Sequence, residues 1–269
     1  MSSNYNDVLS VLDAINKEAM LPLYIPSLQK TVNFKNISTG QQKSILKAAV
    51  DNPVFQTRFT IAFYNLLQEN CEDQSIVNKL TTIDAAAIAI QLRVLASGPE
   101  YVLQQNNNRY KINLQTIIDK LKAVIIPEGE TITNSNFSIQ VGAPLISEHY
   151  DIEKQLREKN INDQQLLNAQ ITETIGDAFV GEISKFIKSI KVTYNKTTQD
   201  VNYTSLSFAK RHSLLEKISN NSIQGVLKYM EKYVTEQKDL LTVSGTNVNT
   251  GEVVNDLILL VDSTLFIVS

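Results

Sequence analysis

The sequence has no tryptophan, one cysteine, two histidines and nine glycines in 269 residues. Each scarcity excludes something. A lone thiol, Cys71, cannot close an internal disulfide, so the fold is not expected to depend on an oxidising compartment. Nothing beside Cys71 would lower its pKa enough to suggest reactivity, and it reads as a helix-end residue. The dispersed glycines form neither a Walker loop nor a dinucleotide fingerprint, and no strained G-x-S-x-G turn is present. Lys and Arg are scattered without a basic run, and the formal net charge is −3, which gives no electrostatic reason to expect nucleic acid as a partner. Apolar runs fall short of the roughly 20 residues a membrane helix needs. The most apolar stretch, Leu257-Ile258-Leu259-Leu260-Val261, stops at Asp262. The opening Met1–Asp7 lacks the basic and apolar regions of a signal peptide. The expectation is a soluble protein of a cytoplasm.

The remaining composition, 43% apolar and 20% charged, is that of a globular chain long enough for one large domain or two small ones. Residues 7–19 place Val8, Leu9, Val11, Leu12 and Ile15 at helical spacing, which fits either a piece of core or an arm that docks on a partner. Pro22 and Pro26 forbid a helix interior and make Leu21–Leu28 extended chain. Val32 and Phe34 alternate as in a strand. Ser38-Thr39 caps a helix running to about Val50, and Asn52-Pro53 opens another bearing Phe55, Phe59, Phe63, Leu66 and Leu67. A third helix spans about Ser75 to Ala96, with the small-sided centre Ala85-Ala86-Ala87.

The middle of the chain reads as hairpins and short helices. Strands at Tyr101–Leu103 and Arg109–Leu114 flank an Asn-rich turn, and a helix covers 115–123. Strands at Thr131-Ile132 and Phe137–Val141 precede a helix at 147–159. One or two helices are expected over 163–190, with Phe179, Ile183, Phe186, Ile187 and Ile190 on one face. A hairpin at 190–203, helices at 207–219 and 222–237, and one or two strands from Glu252 to Val268 complete the reading. Val243–Gly245 and Asn249–Gly251 are read as turns. Helices mixed with short antiparallel hairpins give an α+β class. The expected division is a helical arm (1–20), a strand–helix–helix lobe (21–99), a middle α+β segment (100–189), and a second strand–helix–helix lobe with C-terminal strands (190–269).

The two lobes echo one another. Val32-Asn33-Phe34 through Ser38 aligns without a gap on Val201-Asn202-Tyr203 through Ser207, and the register continues to Tyr64 and Tyr233. Such a pseudo-repeat would place an aromatic over the first turn of each following helix while a serine caps it. The alternative is coincidence between two common strand-to-helix junctions.

Candidate chemistry is sparse. His149 lies beside Glu148 and Asp151, which a helix start would favour anyway, and His212 stands elsewhere; neither has a cysteine or paired carboxylate at metal spacing. Asp84 could pair with Arg93 or a partner, and capping after Thr81-Thr82 is the simpler reading. Glu128 and Glu130 sit in a turn, where solvation is the default. No catalytic, cofactor or metal residue is therefore assigned.

The segment Pro26-Ser27-Leu28-Gln29-Lys30-Thr31-Val32-Asn33-Phe34-Lys35-Asn36-Ile37-Ser38-Thr39-Gly40-Gln41-Gln42-Lys43, led by Leu21, resembles the opening of the T4-type bacteriophage baseplate hub proteins. Ile83-Asp84…Ile88…Leu92-Arg93 is similar to that family's next helix. Phe186–Ile190, Val201–Tyr203 and Ile258…Val261-Asp262-Ser263-Thr264-Leu265-Phe266 are similar to its closing region. The likeness covers roughly 20–95 and 180–267 and rests on the order of the segments. Departures are the added leading helix, Gln29 where a small residue is usual, and Leu265 in place of an aromatic. The resemblance implies a non-enzymatic component or assembly factor of a contractile tail, touching hub and tape-measure proteins, with homo-oligomers allowed and neither nucleic acid nor membrane as partner. Its setting would be the host cytoplasm during assembly, or the virion baseplate. Pro22, Tyr24, Pro26, Leu28, Leu265 and Phe266 are the expected partner contacts, on a Pro-rich extended chain and an apolar C-terminal strand. The alternative is a ligand-binding or enzymatic α+β domain with an unrecognised site.

Overall fold

A computed structural model describes residues 10–12, 14–15, 19–51, 57–126, 129–134, 136–158 and 179–266. Residues 10–12 and 14–15 are helical, and Val11, Leu12 and Ile15 are exposed. In chain order, strands β1 (Met20–Ile25) and β2 (Lys30–Lys35) are followed by helices α1 (Thr39–Asp51), α2 (Thr57–Asn70), α3 (Gln74–Val77) and α4 (Thr82–Ser97). Strands β3 (Glu100–Gln105) and β4 (Asn108–Asn113), helix α5 (Leu114–Ala123), strands β5 (Glu130–Asn134) and β6 (Phe137–Val141) and helix α6 (Ile146–Glu158) come next. Residues 179–184 are helical. They precede strands β7 (Ile187–Tyr194) and β8 (Thr197–Asn202), helices α7 (Phe208–Leu215) and α8 (Asn220–Leu241), and strands β9 (Thr242–Asn247) and β10 (Val253–Ile258). All strand pairing is antiparallel, and the fold is α+β. Among the described residues no helix is long and apolar enough to cross a membrane.

The chain groups into two compact units, Met1–Ile125 with Leu240–Ser269, and Ile126–Asp239. This cuts across the linear division into four segments. β9 pairs with β4, so the C-terminal strands complete a sheet begun near residue 100 and do not belong with the second lobe.

In unit 1 the sheet order is β10-β9-β4-β3, and β1 and β2 form a separate hairpin. Asn106 and Asn107 make the β3–β4 turn with φ of 51° and 60°, a conformation that asparagine tolerates better than most residues. The side-chain oxygen of Gln105 on β3 accepts from the N–H of Ile258 on β10 at 3.2 Å, so the sheet curls until its two edge strands touch. Val243–Gly245 is strand, not turn. A Cβ on Gly245 would lie 2.7 Å from Ile112 Cγ2 and Leu257 Cδ1, so glycine is there for close packing.

Helix α4 runs through the core. Ile83 to Ile90, Leu92 and Arg93 are all buried, which accounts for a sequence that is apolar on every side. It packs against β1, the 3₁₀ turn Pro26–Leu28, α5 and the 3₁₀ turn Ser263–Phe266. The expected single helix over 75–96 is interrupted at Asn78–Thr81, and Asp84 is the reason. Its carboxylate accepts from Thr81 N–H (2.7 Å) and Thr81 Oγ1 (2.8 Å), while Thr81 Oγ1 accepts from Asp84 N–H, a capping box that starts a new helix. The same carboxylate accepts from Ser27 N–H (2.8 Å) and Ser27 Oγ (2.6 Å). The capping reading of Asp84 holds, and the cap also anchors the turn after β1.

In unit 2 the sheet order is β5-β6-β7-β8. Ile139, Val141, Ile187 and Ile190 form its buried face. The rings of Tyr229 and Tyr233 on α8 meet Phe186 edge-on, with centroids 6.2 and 5.5 Å away. The helix expected to reach residue 190 ends by 184. Ile183, Phe186, Ile187 and Ile190 have helical spacing, but pairing of β7 with both β6 and β8 claims the segment from Ile187. Ile187 and Ile190 are buried from a strand, and Phe179 is exposed. The rest of the helix expected from residue 163, up to 178, lies outside the described residues, as do Asn52-Pro53.

The echo recurs as order: hairpin, helix, helix, once in each unit. Phe34 and Tyr203 are 1% and 0% exposed. The details diverge. Ser38 caps α1 through its hydroxyl, with Gln41 returning a bond to the Ser38 N–H, whereas Ser207 makes no side-chain cap bond. Arg211 acts there instead, donating to the carbonyls of Leu206 and Thr204 at 2.9 and 2.6 Å.

Two unit-1 substitutions follow. Phe34→Ala should lower stability by about 3 kcal/mol or more through the cavity it leaves. Asp84→Ala should cost about 3 kcal/mol, since it strips buried donors of their acceptor. Urea denaturation with wild-type midpoints in both variants would disprove this account of the core.

Candidate functional site

The expected contact residues do not form one exposed surface. Pro22 is exposed within β1, a position that proline tolerates on an edge strand. Tyr24 and Leu28 are half-buried, and Pro26 is buried as the first residue of its 3₁₀ turn. Gln91 on α4 covers the outer edge of β1: its Nε2 donates to Tyr24 O and its Oε1 accepts from Tyr24 N–H, both at 2.9 Å. The outer edge of β2 is covered by Cys71 and by Glu72 N–H, which donates to Asn33 O. The hairpin's edges are therefore engaged inside unit 1 at these points. Leu265 and Phe266 are 0% and 6% exposed in a 3₁₀ turn, not a strand. These two residues and Pro26 belong to the core and are unavailable to a partner while the unit stays folded.

Cys71 is likewise buried, and its thiol donates to Asp73 O at 3.2 Å. Burial is the main force pushing its pKa up, against that bond.

The polar concentration of the molecule lies in unit 2. Helix α6 contributes Glu148, His149, Asp151 and Glu153. The helical residues 179–184 bring Glu182 and Ser184; the next turn brings Lys185, β7 brings Lys188, and the 3₁₀ turn Tyr203–Ser205 and α7 add Tyr203 and Arg211. Glu148, Glu153, Ser184, Lys185 and Arg211 are all buried. Charged groups are almost never buried this far unless they are paired.

The pairing is explicit. Glu148 Oε2 accepts from Leu145 N–H three residues earlier (3.1 Å) and from Lys188 Nζ (2.7 Å). Lys188 Nζ also donates to Lys185 O at 3.2 Å. Burial pulls the Lys188 pKa down, the Glu148 carboxylate partly offsets this, and Arg211 adds a smaller downward push. Glu148 Oε1 is buried with no hydrogen-bond partner. Lys185 Nζ meets Glu182 Oε1 at 2.5 Å, and His149 Nε2 lies 3.3 Å from Glu153 Oε1. Burial raises the Asp151 pKa, against the lowering fields of Arg211 and Lys154.

Tyr203 closes this region. Its hydroxyl shares a hydrogen bond with Ser184 Oγ at 2.9 Å, and the Arg211 guanidinium lies 5.6 Å from its ring centroid. Burial pushes its pKa up to about 12, against the lowering effects of Ser184 and Arg211.

Sequence reasoning missed this cluster. His149 and Glu153 stand one helical turn apart and were visible as a pair; the signal overlooked was that spacing. Glu182, Lys185 and Lys188 are distant in sequence, and nothing in their own neighbourhood announced burial. His212 reaches Glu216 at 3.5 Å on α7 and takes no part in the His149 group.

Two measurements test the cluster. Lys188→Met should cost about 3 kcal/mol by leaving Glu148 charged and buried, and adding Glu148→Leu should recover most of the loss. Additive losses would show that the two do not work as a pair. Tyr203 has its folded pKa raised above the ordinary value of 10.0, so its stabilisation is complete below pH 10 and is lost as pH rises toward about 12. Tyr203→Phe should flatten that part of the stability–pH curve, and an unchanged slope would refute the assignment.

The chain matches no family model, no curated protein and no solved structure.

Proposed function

We propose that this chain is a non-enzymatic component or assembly factor of a contractile phage tail, acting by contact with baseplate hub and tape-measure proteins. One spatial observation carries the reading. The opening segment that resembles the hub family and the last of the closing segments, Ile258 to Phe266, come from opposite ends of the chain and pack together in unit 1, while Phe186–Ile190 and Val201–Tyr203 fall in unit 2. The Ser263–Phe266 turn lies against α1 and α4, and the Phe266 ring centroid is 6.3 Å from Phe59 and 6.2 Å from Phe63. Segments that are similar in order to one family and build a single structural element are more easily explained together than separately.

Position 29 adds support. Gln29 adopts φ 47°, the left-handed conformation that glycine takes at no steric cost, at the position where the family carries a small residue. The contact surface is reassigned from the hairpin, whose edges are engaged inside unit 1, to the exposed apolar side chains around β10. Val253 opens that strand at 64% exposure, and Leu260 lies two residues past its end at 62%. An edge strand accepts a strand from another chain where its outer groups are not already engaged, as the Ile258 N–H is by Gln105. The alternative, a ligand-binding or enzymatic domain, draws on the buried charged cluster of unit 2.

The test is co-expression of the tagged chain with the tail proteins encoded alongside it, with mass spectrometry of purified virions to separate a resident part from a helper. At least one hub or tape-measure component should co-purify, and the pair Val253→Asp and Leu260→Asp should reduce its recovery at least tenfold without altering the fold. Capture of none of these components by the wild-type chain would overturn the proposal.

A further inference from the structure

We infer that unit 2 holds a binding site for a first-row divalent cation of the zinc or manganese kind, formed by His149, Glu153 and Glu182. One candidate ligand atom from each residue lies within 4.8 Å of the other two. Metal–ligand bonds of about 2.0–2.2 Å place neighbouring donors about 3–4 Å apart, so closure onto an ion asks for small side-chain adjustments only. Two of the ligands are already arranged by secondary structure. His149 and Glu153 stand at i and i+4 on α6, on one face and 3.3 Å apart. The third comes from another element, the helical residues 179–184, so the group is not an accident of one helix face.

Burial separates this group from an ordinary surface cluster. Glu153 is only 8% exposed, so one of the three ligands sits inside the fold and not on its surface. Glu182 faces the group from a half-open position, with 57% of its side chain exposed, which leaves a path for an ion to enter. Lys185, itself buried, holds Glu182 through Oε1; a carboxylate has a second oxygen and further lone pairs to offer a metal. The Lys185 charge opposes a cation and sets a limit on affinity.

The donor set selects the ion. One imidazole nitrogen with two carboxylates suits zinc, manganese or iron, while magnesium and calcium prefer oxygen alone. Three protein ligands leave room for water. The ion would tie α6 to the helical residues 179–184, which lie apart in sequence. This site is independent of the hub proposal and stands or falls separately.

The experiment uses the full chain after treatment with a chelator. Zinc and manganese are titrated by calorimetry, and thermal melting is followed with each ion and with magnesium. One saturable site, and a Tm several degrees higher with zinc or manganese than with magnesium, are expected. His149→Ala and Glu182→Gln should each weaken binding at least tenfold and abolish the shift; both side chains are partly exposed, at 30% and 57%, so these variants should remain folded. Lys185→Met should tighten binding. Cobalt gives a second readout on the wild-type protein: visible d–d bands should appear with one equivalent and disappear on adding zinc. Absence of saturable binding, unchanged affinity in both ligand variants, or no cobalt bands in the wild type would overturn the site.

Discussion

Unit 1 depends on one buried carboxylate. Asp84 is wholly inaccessible and accepts four hydrogen bonds, two from Thr81 and two from Ser27. The Thr81 pair starts the central helix. The Ser27 pair fixes the turn between β1 and β2 against that helix. A charge-assisted bond is roughly twice as strong as a neutral one, and a buried carboxylate that lost these donors would incur a large desolvation penalty. The helix start and the hairpin turn therefore form together or not at all. Gln91, two turns further along α4, makes the same connection with an amide, holding both backbone groups of Tyr24.

Unit 2 solves a different problem. Each of three pairs sets one buried charged group against a partner: Lys188 on Glu148 and Lys185 on Glu182 are ion pairs, and His149 lies against Glu153. Such pairs add little net stability, because desolvation offsets much of the attraction, but they penalise every packing that separates the partners. The Lys188–Glu148 pair holds the start of β7 against α6, a task that apolar contacts perform with less discrimination, while the other two pairs are local, within α6 and at the end of the helical residues 179–184. Arg211 extends the same logic by bonding backbone carbonyls where the echoed serine of unit 1 uses a hydroxyl.

The α+β class was legible because hairpins announce themselves locally: paired asparagines at 106–107, alternating strands beside them, and capping serines and threonines before helices. The aromatic cores at Phe34 and Tyr203 were legible for the same reason. What failed depended on partners far away in the chain. Ile183, Phe186, Ile187 and Ile190 have helical spacing, yet two neighbouring strands override it from Ile187 onward. Pro26, Leu265 and Phe266 look like docking chain until the helices that bury them are in place. At the candidate site, His149 and Glu153 could be read from their spacing, but no local rule brings Glu182 beside them, since that proximity exists only once α6 and residues 179–184 have packed.

The pairing of β4 with β9 has a consequence for synthesis. Residues 110–112 must wait for residues 245–247 to leave the ribosome before their sheet can be completed. At ordinary elongation rates that interval is on the order of ten seconds. During it, all of unit 2 emerges while the apolar face of β3 and β4 has no completed sheet. The inserted unit has every strand of its own sheet to hand before its host does. In the cell the later-encoded unit can therefore finish first, and the nascent first unit is the stretch most in need of a chaperone's cover.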